Sequence, residues 1–426
     1  MRLCPRHISA AALVAVTTVW SAGSLNAQDS AVPADTLAVD LSEARRIALE
    51  RNPGFLGEGQ LVGVAAGGVR GARTYPLNPE AEAELPGAPG GGGFQGYEVL
   101  LVQGVEWAGQ RGLRIDAAES GLAGANATLG DARRRLVSAV SEAFYESWAA
   151  DRRLEVVTEI QALNERLGTA ARTQLLEGEI SVMESNFAEI EVARSRARVL
   201  AAQRAATSAR LTLGRLLGIP PQTVVLAREE PELPLPAPAT LHREALLAAA
   251  VTQRPDLAAA DHAVSQAETL TRLTRRSAIP DLGVGALIQG GEEGASTRVG
   301  LQLSVPLPVW NRNQGAVAQH EFETRRAALE RDAIALTIRT EVFDAYNGYV
   351  TASEEEALFA ERVLTPARQN QILLEAAYRE GEIDLPSLIL LRNQLLDAEV
   401  GFWDAWLARR LNFTQLDAAV GGIGID

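Results

Sequence analysis

Apolar residues recur along this chain with two distinct periods. In the last stretch, Leu388, Leu391, Leu395, Ala398, Phe402 and Ala405 follow one another at steps of three and four. That spacing predicts one seam of a long helix. A second row, Ile389, Leu396 and Trp403, runs along the same helix at intervals of seven. Two seams on one helix predict neighbours on both sides, a sheet or barrel of helices rather than a pair. The alternative is an amphipathic helix in a soluble bundle, where the rows merge into one face. Phe343, Tyr346, Val350, Ser353, Ala357, Ala360 and Leu364 predict a further seam upstream. No proline occurs between Pro89 and Pro220. A continuous helix from Gly109 to Leu176 would be about 100 Å long, more than a compact domain needs. The matching run, from about Gln314 to Glu380, is interrupted only by Pro366, where a kink or a helix restart is expected.

The other period is two. Leu282, Val284, Ala286 and Ile288 alternate with Gly283, Gly285, Leu287 and Gln289. After "GGEEGAS", Thr297, Val299, Leu301, Leu303 and Val305 alternate with Arg298, Gly300, Gln302 and Ser304. Earlier, Glu80, Glu82 and Glu84 alternate with Ala81, Ala83 and Leu85. The loop "GAPGGGG" and a strand from Tyr97 to about Trp107 follow. Such segments carry the weak signature of membrane-barrel hairpins, with one lipid face and one wet face. Four strands cannot close a barrel, and an open edge in lipid leaves backbone groups unpaired. Crossing a membrane therefore requires oligomerisation; in a soluble periplasmic coiled-coil scaffold, the same segments would be soluble hairpins.

The two halves repeat each other. Arg312 lies 201 positions after Arg111, Tyr346 lies 201 after Tyr145, and Arg254-Pro255 lies 202 after Asn52-Pro53. Leu411 and Leu416 pair with Leu211 and Leu216 at an offset of 200. The anchors keep one order, so the chain reads as a tandem duplication. Its first structural repeat is 28–218, with strands at about 78–86 and 97–107 and a helical hairpin at about 109–217. Residues 219–240 hold six prolines and form a stiff linker. The second repeat is 241–426, with strands at about 281–289 and 296–305 and a hairpin at about 312–420.

Each long hairpin carries a near-identical phrase at its middle: "EGEIS", Glu177 to Ser181, and "EGEID", Glu380 to Asp384. Gly178 and Gly381 suit the left-handed position that ends a helix. Ser181 is an N-cap that forms a capping box with Glu184. Asp384 caps the second copy, with Pro386 tolerated in the first turn. Both phrases are thus predicted to be tight turns between antiparallel helices.

Composition narrows the function classes. Arg2 and Arg6, an apolar run from Ile8 to Trp20, and Leu25-Asn26-Ala27 read as a secretory signal over residues 1–27. The one cysteine, Cys4, lies inside it, so the expected mature chain has no disulfide and no Cys-based metal site. The formal charge of −14 becomes −16 once Arg2 and Arg6 are removed, which argues against nucleic acid as a partner. Later apolar runs fall short of the roughly 18 residues of a spanning helix. His242, His262 and His320 stand in unrelated contexts, and no catalytic, phosphate-loop or metal motif occurs. Neither an enzyme nor a cofactor is expected.

The order of these features resembles the TolC-like outer-membrane factors of tripartite efflux pumps. The resemblance rests on "QGVEWAGQRGLR" (Gln103–Arg114), "LGRLLGIPP" (Leu213–Pro221), "RPDL", and "LSVPLPVWNRNQG" in the second repeat. The phrase "PLPVWNRNQG" looks most like the branch serving heavy-metal and related cation pumps. The resemblance implies a mainly α fold with a small β part. Three copies would form a 12-stranded outer-membrane β-barrel continued by a periplasmic α-helical barrel. It also implies a passive exit duct that meets a periplasmic adaptor and an inner-membrane transporter, for small molecules, metal cations or polypeptides. The turns Gly178, Glu179, Ile180, Ser181 and Gly381, Glu382, Ile383, Asp384 would then be the tips where the adaptor docks. Some members carry two aspartates three residues apart just inside the closed end. Ser387 and Leu390 stand at those positions here, and Leu390 is either an apolar constriction or a seam residue. A second departure is the run of glycines from Gly54 to Gly71, which predicts a helix that is short, frayed or tightly packed.

Overall fold

The structure is a computed structural model that describes residues 35–85, 96–228, 235–291 and 296–422. The expected signal segment, the "GAPGGGG" loop, and parts of the linker and of "GGEEGAS" lie outside the described residues. Each half begins with a short helix and a longer one: α1 (Leu41–Arg51) and α2 (Pro53–Arg73), matched by α5 (Arg243–Gln253) and α6 (Pro255–Arg276). Two strands follow in each half, β2 (Glu80–Glu84) and β3 (Tyr97–Val105), then β5 (Leu282–Gly290) and β6 (Arg298–Ser304). The first hairpin is α3 (Gln110–Glu177) and α4 (Val182–Leu216). The second is α7 (Gln314–Leu358), a π-helical turn at Phe359–Leu364, α8 (Thr365–Arg379) and α9 (Leu385–Val420). Pro366 lies in the first turn of α8; the backbone stays helical through Leu364 and Thr365, so the proline is accommodated by the π-turn just before it rather than by a fresh helix start. The sequence did not predict β1 (Thr36–Val39), which pairs in parallel with β4 (Val224–Ala227).

The four longer strands form one antiparallel sheet in the order β2-β3-β5-β6. The helices nearest the sheet repeat that order: α2 packs on α3, α3 on α6, and α6 on α7. The protomer is therefore a ribbon four elements wide, with α2 and β2 on one free edge and β6 and α7 on the other. Farther from the sheet, α9 packs against α3, α4, α7 and α8. Its two apolar rows explain this: Leu388 and Leu395 are buried, and so are Ile389 and Leu396.

The duplication survives as shared capping chemistry. The Asn52 amide nitrogen donates to the Leu216 carbonyl at 2.8 Å, at the end of α4. Arg254, its counterpart, donates to the Ala419 carbonyl at 3.2 Å, near the end of α9. Each next residue is the proline that opens a helix. Two apolar cores flank the linker. One gathers Val39, Phe144, Trp148, Leu213, Val225 and Trp406; the other gathers Ile338, Tyr349, Phe413 and Leu416. The Tyr349 hydroxyl donates to the Pro236 carbonyl at 2.6 Å, tying the linker to the second core.

Two expectations are corrected. The buried residues of α7 are Ile338, Val342, Ala345, Tyr349, Ala352 and Ser353; up to Ala352 the row is displaced by one residue from the predicted seam, of which Ser353 and, beyond α7, Leu364 are buried. Phe343 is exposed, with the Arg243 guanidinium 4.8 Å from its ring centre. The row carrying Tyr349 wins because that ring fills the core against Phe413. The glycine-rich stretch is also neither short nor frayed: α2 runs for 21 residues. Asn52 Oδ1 caps it by accepting from the Phe55 amide at 3.0 Å, and Val69 and Ala72 are buried. Nor are its glycines tightly packed. A Cβ at Gly57, Gly59, Gly63, Gly67, Gly68 or Gly71 would meet nothing within 4 Å.

Candidate functional site

The two phrases fold as two turns at one end of the protomer. Gly178 takes φ 77° and Gly381 takes φ 74°, the left-handed region that a side chain disfavours. The Glu179 amide reaches back to the Gln174 carbonyl at 2.8 Å, and the Glu382 amide to the Ala377 carbonyl at 2.9 Å. This is the bond pattern that closes a helix over a left-handed glycine. Ser181 Oγ accepts from the Glu184 amide at 3.2 Å, while the Glu184 carboxylate accepts from the Ser181 amide at 2.7 Å. The Asp384 carboxylate accepts from the Ser387 amide at 2.9 Å. The hydrogen bond from the Ser181 amide holds the Glu184 carboxyl below its usual range. The bonds with Ser387 do the same for Asp384.

One apolar cluster joins both turns. Ala171, Ala188, Leu385, Leu388 and Ile389 form its buried part, and Ile180 and Ile383 pack against it. The sequence-predicted tip residues thus divide by role. Ile180 and Ile383 are half-buried and hold the turns together. Gly178, Glu179, Ser181, Gly381, Glu382 and Asp384 face outward. Apolar side chains beside the turns are also exposed: Leu176, Val182, Met183, Ile372 and Leu373. A heptad reading could have flagged these as surplus to any seam. Ser387 serves the Asp384 cap. Leu390 is 57% exposed while its neighbours Leu388 and Ile389 are buried, so Leu390 is not part of the seam within the protomer.

Sequence reasoning missed a polar tie farther along the helices. Asn393 Nδ2 donates to Glu191 at 3.0 Å, Arg194 pairs with the same carboxylate at 2.7 Å, and Arg198 donates to Asn393 Oδ1 at 3.3 Å. These bonds link α4 to α9, across the two hairpins. Only a fold that brings positions 191 and 393 together reveals them.

At the far end, strand register sorts the sheet into two faces. Ala83, Val99, Ile288 and Val299 lie in one cross-strand row, and Ala81, Leu101, Ala286 and Leu301 in another. Both rows share one face, which is apolar except for Gln103 in the next row, opposite Val284. Leu301 and Val299 are 92% and 75% exposed there. The opposite face carries Glu80, Glu82, Glu84 and Glu98, with Gln289, Arg298, Gln302 and Ser304, around a central patch of Leu100, Val102 and Leu287. Trp107 and Trp310 stand exposed beyond the sheet, on the side of the helices. The Trp107 indole donates to the Pro280 carbonyl at 3.0 Å. Among the described residues no helix is long and apolar enough to cross a membrane. No group of three His, Cys, Asp or Glu among them could hold a metal ion.

The family described as outer membrane efflux protein matches residues 101–219 and 246–422, most of both hairpins. The chain belongs to that family. The cobalt-zinc-cadmium resistance protein CzcC of Cupriavidus metallidurans is 28% identical over 241 residues. That stretch is 54% of this chain and 56% of CzcC, so the chain spans little more than half the length of that relative. A crystal structure of CusC superposes with a TM-score of 0.75 at 20% identity, covering 91% of this chain and 94% of CusC. The outer membrane protein VceC of Vibrio cholerae superposes at 0.72 with 18% identity, covering 90% and 96%. At such identity these two likenesses show the fold, that of outer-membrane efflux channels. The outer membrane is accordingly where this protein resides, with its long helical part in the periplasm.

Proposed function

We propose that this chain is the passive exit duct of a tripartite efflux system. Three copies close their sheets into one twelve-stranded barrel, and their helices continue it as a hollow cylinder through the periplasm. One observation carries this reading. The sheet has a mainly apolar face and a face that holds its charges, and its free edges line up with the free edges of the helical layer. A soluble hairpin gains nothing from exposing Val299, Leu301 and Leu303 together, whereas a lipid-facing strand requires it. Closure by further copies satisfies the edge groups that lipid would leave unpaired.

In this reading the turns at Gly178–Ser181 and Gly381–Asp384 are the docking tips for a periplasmic adaptor, two per chain. Their exposed glycines and the neighbouring Leu176, Met183 and Ile372 offer a surface for an adaptor hairpin. An inner-membrane transporter supplies the energy. The cargo is a heavy-metal cation, a reading supported by CzcC, whose name states cobalt, zinc and cadmium resistance.

The test is to delete the gene in its host and to complement it with the intact or the Gly381→Trp form. Deletion is expected to sensitise cells to at least one of cobalt, zinc and cadmium. The Gly381→Trp form is expected to reach the outer membrane without restoring resistance. Unchanged tolerance to all three metals would remove the cation cargo. Recovery of most of the protein in a detergent-free soluble fraction would remove the duct itself.

A further inference from the structure

A cleft of about 300 Å³ opens where the two halves of the chain meet. It lies between α1 and α3 of the first half and α9 and the start of α6 of the second. Val137, Leu235, Pro255 and Phe413 give it apolar walls. Apolar walls with a few fixed polar groups are the usual form of a small-molecule site of this size. The cleft is remote from the turns: Tyr145, which lines it, precedes Gly178 by 33 residues, about 50 Å of helix.

Its polar groups are ones the protomer leaves without a counterpart. Arg45 lines the cleft from α1 and is half-buried. Its Nε donates to Ser141 Oγ at 3.0 Å, and that hydroxyl donates to the Val137 carbonyl at 2.6 Å. The two bonds fix the guanidinium. Among the described residues, however, its terminal nitrogens have no acceptor and it has no carboxylate partner. Neighbouring arginines differ. Arg46 pairs with Glu50 at 3.0 Å, Arg134 with Asp131 at 2.7 Å, and Arg410 with Glu356 at 3.2 Å. A half-buried cation without a counter-charge is costly, which points to an anion supplied from outside the chain.

Tyr145 is the second such group. Its ring is 4% exposed and makes edge-to-face contacts with Phe144 and Trp406. Its hydroxyl meets no hydrogen-bond partner among the described residues, and a buried donor in that state is uncommon. Burial raises its pKa, against the opposing influence of Arg45 and Arg410, so at neutral pH it is a neutral donor. Arg133, exposed and without an ion pair among the described residues, adds a second cation to the lining. Arg134 is already committed, to Asp131 and to the Ala418 carbonyl at 2.8 Å. Asp417 also lines the cleft, and its carboxylate disfavours a ligand with two negative charges.

We propose that this cleft binds a small organic monocarboxylate with an apolar body. The planar fork of the Arg45 guanidinium matches carboxylate oxygens. The Tyr145 hydroxyl supplies a further hydrogen bond, and the apolar body lies against Val137, Pro255 and Phe413. Arg45 is on α1, Tyr145 on α3 and Phe413 on α9, so the bound molecule joins both halves of the chain. The site is independent of the duct reading above.

Purified mature protein in non-ionic detergent, titrated calorimetrically with sodium benzoate and with sodium hexanoate at fixed ionic strength, tests this. One carboxylate per chain is expected to bind saturably. Benzyl alcohol, which keeps the ring and lacks the charge, is expected not to bind, and inorganic phosphate is expected to bind more weakly than benzoate. Arg45→Gln should weaken benzoate roughly tenfold or more. Tyr145→Phe keeps the packed ring and should weaken it roughly three- to tenfold. Arg133→Gln changes an exposed side chain, so the fold is expected to be unaffected, and its smaller loss should vanish at high salt. The proposal is overturned if neither carboxylate saturates, or if benzyl alcohol binds as well as benzoate. It is equally overturned if phosphate binds more tightly, or if Arg45→Gln and Tyr145→Phe leave benzoate binding unchanged.

Discussion

Ser181 and Glu184 cap each other, each backbone amide bonding the other's side chain at 3.2 and 2.7 Å. The second turn has only half of this arrangement. Asp384 accepts the Ser387 amide, but a serine at that position is too short to return the bond as a glutamate does. Ser181→Ala is therefore expected to cost about 1 kcal/mol of local stability. Hydrogen exchange of the amides just after Ser181 should quicken accordingly, while the sheet and the cores stay protected.

The same bonds give the tips a pH dependence of known sign. Hydrogen bonding to the charged form lowers the folded-state values of Glu184 and Asp384. Their contribution is therefore fully present above the ordinary carboxyl range. It is lost as pH falls through the lowered folded values. Protection factors at both turns, with the intrinsic pH dependence of exchange divided out, are expected to hold from neutral pH to mild acid and to fall only in stronger acid. Ser181→Ala should blunt the fall at the first turn.

Trp148 and Trp406 stack at 4.5 Å with their planes 28° apart, and the Arg410 guanidinium lies 3.7 Å above the Trp406 ring. Both rings are almost fully buried, in the core that joins α3 and α9 to the β1–β4 pair. Trp406→Ala removes a packed aromatic and is expected to cost about 3–5 kcal/mol. Thermal unfolding of the purified protein measures it. Trp406→Phe should recover part of the loss.

Much of this architecture was legible because long periodic segments leave strong marks. The seams of α9 fixed its two-sided packing, and the glycine, serine and aspartate of the two turns fixed their geometry. What stayed hidden depended on contacts distant in sequence. β1 and β4 are four-residue strands, too short to show a period, and they pair across the whole first repeat, β1 at its start and β4 in the linker that follows it. The two apolar rows of α7 are equivalent in sequence, and only the Tyr349–Phe413 contact decides which is buried. The Glu191–Asn393 tie is likewise invisible until the hairpins meet. Alternation put Glu80, Glu82 and Glu84 on one face of their strand, but the register was needed to place Glu98 beside them.

That shared face predicts ion selectivity. Glu84 sits directly opposite Glu98 across the β2–β3 ladder, a like-charge pairing that destabilises a sheet. With Glu80 and Glu82 it gives the charged face four carboxylates, against the single arginine Arg298. Facing the lumen of a closed barrel, they would attract cations and repel anions. Replacing all four by glutamine is expected to shift the zero-current potential in a potassium chloride gradient towards zero. An unchanged potential would mean that selectivity is set elsewhere in the duct.

The central claim is that this chain forms a membrane-spanning conduit by closing its four-stranded sheet with further copies. Purified mature protein added to a planar lipid bilayer, with its size measured in the same detergent, tests this most directly. The account predicts a trimer that inserts with uniform conductance steps. A monomer that never inserts would contradict it.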